Sequence, residues 1–155
     1  MQPISSIKIG WKVMLAMGIY LAALGVFLVA APQLVFEEEY RTFTGKSWPD
    51  FISSSPKASQ LFLMLVKFLG AHLLSIAALV IGITLMAYRK AEKWSWFTLL
   101  ISGIIGWGGA LSYFITLGIA GAPFGSLLAI IGTILFVIAI VLPAKAILGK
   151  KTARK

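Results

Sequence analysis

The fold is decided by a long uncharged stretch at residues 94–144, which reads WSWFTLLISGIIGWGGALSYFITLGIAGAPFGSLLAIIGTILFVIAIVLPA. Its 51 residues are too many for one membrane crossing and suit two, because a helix needs about 20 apolar residues to cross the hydrocarbon core. The segment LGIAGAP at residues 117–123 supplies glycine and proline for a turn between two halves. Because lipid cannot hydrogen-bond the backbone, both halves are predicted to be helices rather than strands.

Two further apolar stretches precede this one, at residues 13–31 and 68–88. The sequence therefore predicts an all-α membrane protein with four transmembrane helices in one antiparallel bundle, a single domain over residues 1–155. The predicted spans cover about residues 11–31, 61–88, 94–117 and 124–146, with an outer loop at 32–57 and a basic tail at 147–155. A cleaved signal peptide is the alternative for the first stretch, but its apolar run is longer than such peptides usually have.

The overall composition agrees with a membrane location. Of 155 residues, 59% are hydrophobic and 12% charged, and the mean hydropathy is +0.95, whereas about a quarter of the residues in a soluble domain are charged. The net charge of +9 is compatible either with nucleic acid binding or with the cytoplasmic charge of a membrane protein. Nucleic acid is disfavoured as a partner, because no folded basic domain is left once the spans are removed.

The charges divide unequally between the two sides of the predicted bundle. Ten basic side chains and one acidic one lie at the N-terminus, between the second and third spans, and in the tail. The outer loop has three basic and four acidic side chains. The positive-inside rule then predicts a multi-pass cell-membrane protein with both termini in the cytoplasm. The ten basic residues are Lys8, Lys12, Arg89, Lys90, Lys93, Lys145, Lys150, Lys151, Arg154 and Lys155.

Local signals add detail to the outer loop. Pro32 is expected to start a short helix that runs through Tyr40, and Ser55 is a good N-cap for a second long helix that begins at Pro56. Aromatic residues near the span ends are expected to anchor the protein at the membrane–water interface. They are Trp48, Phe51, Trp94 and Trp96, with Trp11 and Tyr88 on the cytoplasmic side.

Small residues recur at four-residue spacing in three of the spans. In a membrane such stripes let two helix backbones approach closely. We expect them to make contacts inside one bundle, with a dimer interface as the alternative. The stripes are Gly18 and Ala22 in the first span, Ser102, Gly106 and Ala110 in the third, and Gly125, Ala129 and Thr133 in the fourth.

Three polar side chains of the second span are candidate ligand-binding residues: Lys67, His72 and Ser75. His72 shares a helix face with Ser75, and an intramembrane imidazole can bind a proton, a metal or a polar ligand, or hydrogen-bond a neighbouring helix. Lys67 can extend its long side chain to the head groups. The two ionisable groups are about 140° apart around the helix, so they are not expected to form one site.

No catalytic residue, metal site or cofactor is predicted. Cysteine is absent, which excludes disulfides and thiolate chemistry. His72 is the one histidine, and the acidic residues lie in the loops, so neither a multi-histidine metal centre nor a Ser-His-Asp arrangement can be built within one chain. The three adjacent carboxylates Glu37, Glu38 and Glu39 point in different directions on a helix and are expected to be solvated.

The connection between the second and third spans, residues 87–96, reads AYRKAEKWSW. It resembles the basic turn of a group of uncharacterised small prokaryotic four-span membrane proteins, and more loosely the DoxX-type proteins. The layout is also similar, with Ala31-Pro32 ending the first span and Thr44-Gly45 and Trp48 in the outer loop. The resemblance implies a four-span fold, and it implies no activity.

Three functions remain open on the sequence alone, and one of them, a membrane enzyme, has no visible catalytic constellation. The sparse polarity of the spans favours a non-enzymatic accessory, assembly or structural subunit, whose partners would be membrane lipids and other membrane proteins or further copies of the chain. The alternative is a small-solute or lipid-binding carrier with a cavity near His72. Ser75, Thr84 and the glycine-rich face of the third span would line that cavity.

Overall fold

The computed structural model describes residues 3–117 and 123–149, and this part of the chain is almost entirely helical, without a β-strand. The predicted turn between the third and fourth spans and most of the basic tail lie outside the described residues. A short 3-10 turn, Tyr88–Lys90, joins the fourth and fifth helices. The helices are α1 (Pro3–Ala30), α2 (Pro32–Thr44), α3 (Trp48–Ser54), α4 (Pro56–Met86), α5 (Lys93–Leu117) and α6 (Pro123–Leu148).

Three helical segments in the described residues are long and apolar enough to cross a membrane: Ser5–Ala30, Pro56–Lys90 and Gly125–Leu148. They correspond to the first, second and fourth predicted spans, so the expectation of helices long and apolar enough to cross a membrane is confirmed there. The third predicted span is a helix, α5, but it is not among these three.

The outer loop is folded into two short helices. The helix expected to start at Pro32 does so and continues beyond Tyr40 to Thr44. It stops at Gly45, whose φ of +69° is accessible to glycine at little cost, and the Gly45 N–H donates to the Arg41 carbonyl at 2.8 Å. The long helix α4 begins at Pro56 with Ser55 at the N-cap position, as expected, although the Ser55 hydroxyl makes no capping hydrogen bond to the described residues.

Helix α1 is central, because α4 packs along one side of it and α6 along another. Glycines let the backbones of α1 and α4 touch. A Cβ atom added to Gly25 would lie 2.9 Å from the Gly70 carbonyl oxygen, and one added to Gly70 would lie 2.9 Å from the Gly25 oxygen. A Cβ on Gly18 would lie 2.7 Å from Cγ1 of Ile81, which confirms that this residue of the predicted stripe packs inside the bundle.

Helices α5 and α6 are joined by two aromatic rings that sit on glycines of the other helix. The Phe136 ring of α6 covers Gly103 of α5, where an added Cβ would come within 2.1 Å of the ring. The Trp107 ring of α5 covers Gly132 of α6, where an added Cβ would come within 2.0 Å. Because the two contacts are reciprocal, α5 is fixed on α6 over about a turn of each helix.

Pro143 lies inside α6 and has no N–H to donate to the carbonyl of Ala139, four residues earlier. The Tyr88 hydroxyl replaces that donor and lies 2.7 Å from the Ala139 oxygen. Helix α1 approaches the proline ring at Gly10, where an added Cβ would be 2.6 Å from Cγ of Pro143. The connection from α4 to α5, residues 87–93, is therefore tied to α6; we call this connection the hairpin.

The indole N–H of Trp96 donates to the next carbonyl of α6, that of Ile140, at 3.0 Å. Trp96, Trp48 and Tyr88 are all buried, so the expectation that they anchor the protein at the interface is wrong. Trp94 is 55% exposed, as an interfacial residue would be. One buried cluster, to which both Met14 of α1 and Tyr88 belong, lies at the hairpin end of the bundle.

The α1–α4 contact leads to a first prediction. Gly70→Ala should lower the free energy of unfolding by about 1–3 kcal/mol, because the new methyl group must push the α1 backbone away. Gly82→Ala is the matched control on α4, since an added Cβ there meets nothing within 4 Å. Reversible unfolding in mixed detergent micelles measures both, and equal stabilities of the two variants would contradict the glycine contact.

The proline site leads to a second prediction. Tyr88→Phe should cost about 1–3 kcal/mol, because the Ala139 carbonyl then lacks a donor in a buried environment. In a Pro143→Ala background the same change should cost under about 1 kcal/mol, since the alanine supplies the missing N–H. A double-mutant cycle on unfolding free energies gives the coupling. Identical costs in the two backgrounds would show that the tyrosine does not replace the proline's N–H.

Candidate functional site

An apolar groove of about 580 Å³ lies between α4 and α5. Its volume is within the range of about 300–1,000 Å³ that is typical of small-molecule sites. Helix α1 contributes a row of large apolar side chains that includes Leu21, Leu24 and Leu28. The α4 wall includes Leu69, Leu73 and Ile76, and the α5 wall includes Ser102, Gly106 and Ala110.

The groove exists because α5 leans on α6 and barely touches α4. Gly103 is covered by the Phe136 ring, whereas Cβ atoms added to Gly106 and Gly109 would meet nothing within 4 Å. The prediction that the stripe through Gly106 makes contacts inside the bundle is therefore wrong for this residue. The stripe lines the groove instead, because the rings of Phe136 and Trp107 hold α5 with a different face toward α6.

Glu39 is the one ionisable side chain among the described residues that line the groove. It belongs to α2, which follows α1 directly, so it lies at the end of the groove near the outer loop; we call this the loop end. The neighbouring carboxylates Glu37 and Glu38 are exposed, whereas Glu39 is half-buried. A carboxylate at one end of a largely apolar lining gives the groove a polar end and an apolar body.

An aromatic cluster holds α2 and α3 against α4 beside this polar end. Ring centroids lie 5.1 Å apart for Phe36 and Trp48, 4.7 Å for Tyr40 and Phe51, and 5.2 Å for Phe36 and Phe62 of α4. Phe36 also lines the groove, so the cluster positions α2 over it. Trp48 is 1% exposed, and its Nε1 has no hydrogen-bond partner among the described residues.

The candidate residues chosen from the sequence lie elsewhere, on an exposed face of α4. Lys67, His72 and Ser75 are all exposed, and none of them lines the groove. His72 Nδ1 lies 2.9 Å from the Phe68 carbonyl oxygen, and the Ser75 hydroxyl donates to the Ala71 carbonyl at 3.1 Å. Each side chain therefore bonds to its own helix.

This surface also carries small residues. We name it the outer face of α4, comprising the exposed Lys67, Ala71, His72, Ser75 and Ala78 and the half-buried Gly82. An added Cβ at Gly82 would meet nothing within 4 Å. Thr84, also expected near a cavity, is completely buried, and its hydroxyl has no partner among the described residues. The structure thus separates the outer face of α4 from the groove.

No family model, curated protein or solved structure matches the chain. The resemblance of residues 87–96 to small four-span membrane proteins therefore stays a prediction. In the part of the chain that the structure describes, no group of three or more histidine, aspartate or glutamate side chains is placed to hold a metal ion.

Sequence reasoning missed Glu39 and the aromatic cluster as parts of a site. It treated Glu39 as one of three solvated acids and Trp48 as an interfacial anchor. The signal that was available is the four-residue spacing of Phe36 and Tyr40 on the same face of a short helix, which places two rings toward one neighbour.

Proposed function

We propose that all four long helices cross the cell membrane in an antiparallel bundle, with both termini in the cytoplasm. Helix α5 has 25 residues, about 37 Å at 1.5 Å per residue, which exceeds the hydrocarbon thickness of about 30 Å. Its ring-on-glycine contacts with α6 support the same placement, because a membrane that surrounds α6 also surrounds the helix fixed to it. The excess of basic residues near both termini and in the hairpin supports the orientation.

Within that bundle the protein acts as a non-enzymatic accessory, assembly or structural subunit of a larger membrane assembly. The observation that carries this function is the outer face of α4, where His72 and Ser75 are exposed in the middle of an apolar helix. Ionisable side chains in membrane helices seldom face lipid and usually meet other protein groups. A neighbouring transmembrane helix would give both side chains a polar partner.

The shape of the same face supports this function. Ala71, Ser75, Ala78 and Gly82 follow the spacing of one helical stripe, and the open space at Gly82 leaves room for another backbone. The Tyr20 hydroxyl of α1, by contrast, already bonds to another helix of the same chain, because it donates to the Leu128 carbonyl of α6 at 2.6 Å.

A small-solute or lipid-binding carrier is the second candidate function, and the groove favours it. The glycine-rich face of α5 lines the groove as that hypothesis requires, although His72 does not. The two functions use different surfaces of the protein, so they can be tested separately.

The topology is tested with single-cysteine variants, since the chain has no cysteine of its own. A membrane-impermeant maleimide added to intact cells should label Lys46→Cys and should leave Arg89→Cys and Lys155→Cys unlabelled until the cells are permeabilised. Labelling of both Lys46→Cys and Lys155→Cys in intact cells would mean that the chain crosses an odd number of times, as it would if α5 remained outside the membrane.

The partner surface is tested with a photo-crosslinking amino acid at Ala78, on the outer face of α4, and at Ile134, an exposed residue of α6, as the control. We expect a protein adduct of defined mass from position 78 alone. His72→Leu should leave insertion intact and reduce that adduct about threefold or more, since an interhelical hydrogen bond in a membrane contributes about 0.6–1.7 kcal/mol. Lipid adducts alone at position 78, or an adduct that His72→Leu leaves unchanged, would contradict the proposal.

A further inference from the structure

His72 carries an open hydrogen-bond acceptor on the outer face of α4. Its Nδ1 lies 2.9 Å from the Phe68 carbonyl oxygen, and a carbonyl oxygen only accepts, which assigns the single proton of the neutral ring to Nδ1. The second ring nitrogen, Nε2, then has a lone pair and no proton. The imidazole packs against the Phe68 ring of its own helix, with centroids 4.1 Å apart, and Nε2 has no hydrogen-bond partner among the described residues.

The Ser75 hydroxyl has the same polarity. It donates its one proton to the Ala71 carbonyl at 3.1 Å, which leaves the lone pairs of Oγ as acceptors. Ser75 lies three residues after His72, and both side chains are exposed. The two acceptors lie near the centre of the 35-residue apolar segment Pro56–Lys90, and the protons of both side chains are already bonded to α4 itself.

We propose that the partner helix on the outer face of α4 belongs to a different membrane protein and has an uncharged N–H or O–H donor that bonds to Nε2 of His72, as an asparagine, glutamine, serine or threonine side chain would. This inference rests on the proposed function, and it adds the chemistry of the partner to the surface assigned there. At this depth in a membrane there is no water to satisfy the acceptor, so the donor has to come from a neighbouring helix.

The hydrogen-bond polarity disfavours a second copy of this chain as the partner. Symmetric pairing of α4 with itself sets the same patch of both copies face to face, so that acceptors meet acceptors at His72 and Ser75. One of the bonds to the helix carbonyls would have to break to release a donor. Lys67 is about 40° from Ala71 around the helix, so it would also approach the same charge on the other copy, and like charges at an interface repel.

An uncharged donor fits the outer face of α4 better than a charged one. The face contains the cation Lys67 and no carboxylate, so an arginine or lysine of the partner would have no counter-ion there. An amide or hydroxyl group supplies an N–H or O–H without a charge to desolvate. These side chains are short, and the open space at Gly82 lets a partner backbone come close enough for them to reach.

The polarity is tested with two ring residues at position 72 that differ by one nitrogen. The amino acid 3-pyridylalanine keeps an acceptor near the place of Nε2 and has no N–H, whereas His72→Phe has neither. The readout is the photo-adduct formed in cells by Ala78→Cys after modification with a benzophenone maleimide, which is specific on this chain because it has no other cysteine. With 3-pyridylalanine the adduct yield should stay within about twofold of that with histidine, and His72→Phe should lower it about threefold or more.

Equal adduct yields from the two ring residues would overturn the inference, whether both are high or both are low. Crosslinking between two differently tagged copies of the 16.7 kDa chain would overturn it as well, and so would a crosslinked partner helix without an amide or hydroxyl side chain. In these three cases the outer face of α4 remains a contact surface. The absence of any protein adduct in the histidine form would instead overturn the proposed function, so the two failures can be told apart.

A folding control accompanies these variants. The hydrogen bond and the ring contact of His72 both lie within α4, so each variant should insert into the membrane and elute in detergent as the unmodified chain does. A loss of adduct then reports the missing acceptor rather than a misfolded protein.

Discussion

A carbonyl group inside an apolar helix needs a donor, and at Ala139 the chain cannot supply one from its own helix because Pro143 has no N–H. The Tyr88 hydroxyl fills that position, and much of the hairpin end is arranged around the resulting contact. Tyr88 is buried, the Trp96 indole donates to the adjacent Ile140 carbonyl, and α1 approaches the proline through Gly10. Helices α1, α5 and α6 and the hairpin therefore come together around the Ala139 carbonyl, which has no backbone donor.

The two ends of the bundle differ as a result. At the hairpin end, hydrogen bonds and buried side chains join α1, α5, α6 and the hairpin. Toward the loop end, α5 follows α6 because of the Phe136 and Trp107 rings, and it leaves α4. The groove is the space between these two helices, and the aromatic cluster around Trp48 places α2 and Glu39 at its end.

Much of the fold follows from the sequence, because length and apolar composition are direct requirements of a membrane helix. Three membrane helices, the helix that starts at Pro32 and the start of α4 at Pro56 could all be predicted. Which side of each helix packs against a neighbouring helix could not be predicted. Since α4 is apolar nearly all the way round, periodicity does not distinguish the side that meets α1 from the side that carries His72.

The same limit applies to the site. Small residues indicate that another part of the protein can approach the helix closely, but they do not indicate which part does. Gly18 and Gly103 contact side chains of neighbouring helices, whereas an added Cβ at Gly106 would meet nothing within 4 Å. Aromatic residues near a span end suit the interface or the core equally well, and Trp48 and Trp96 are in the core. Only the packing of whole helices decides between these roles.

The bond between Tyr88 and Ala139 joins residues 51 positions apart, with the donor earlier in the chain. During translation, the hydroxyl group is therefore synthesised before the oxygen to which it donates. When α6 forms, the donor that its proline lacks is already present in the chain, so the Ala139 carbonyl does not depend on a segment that is still to be made.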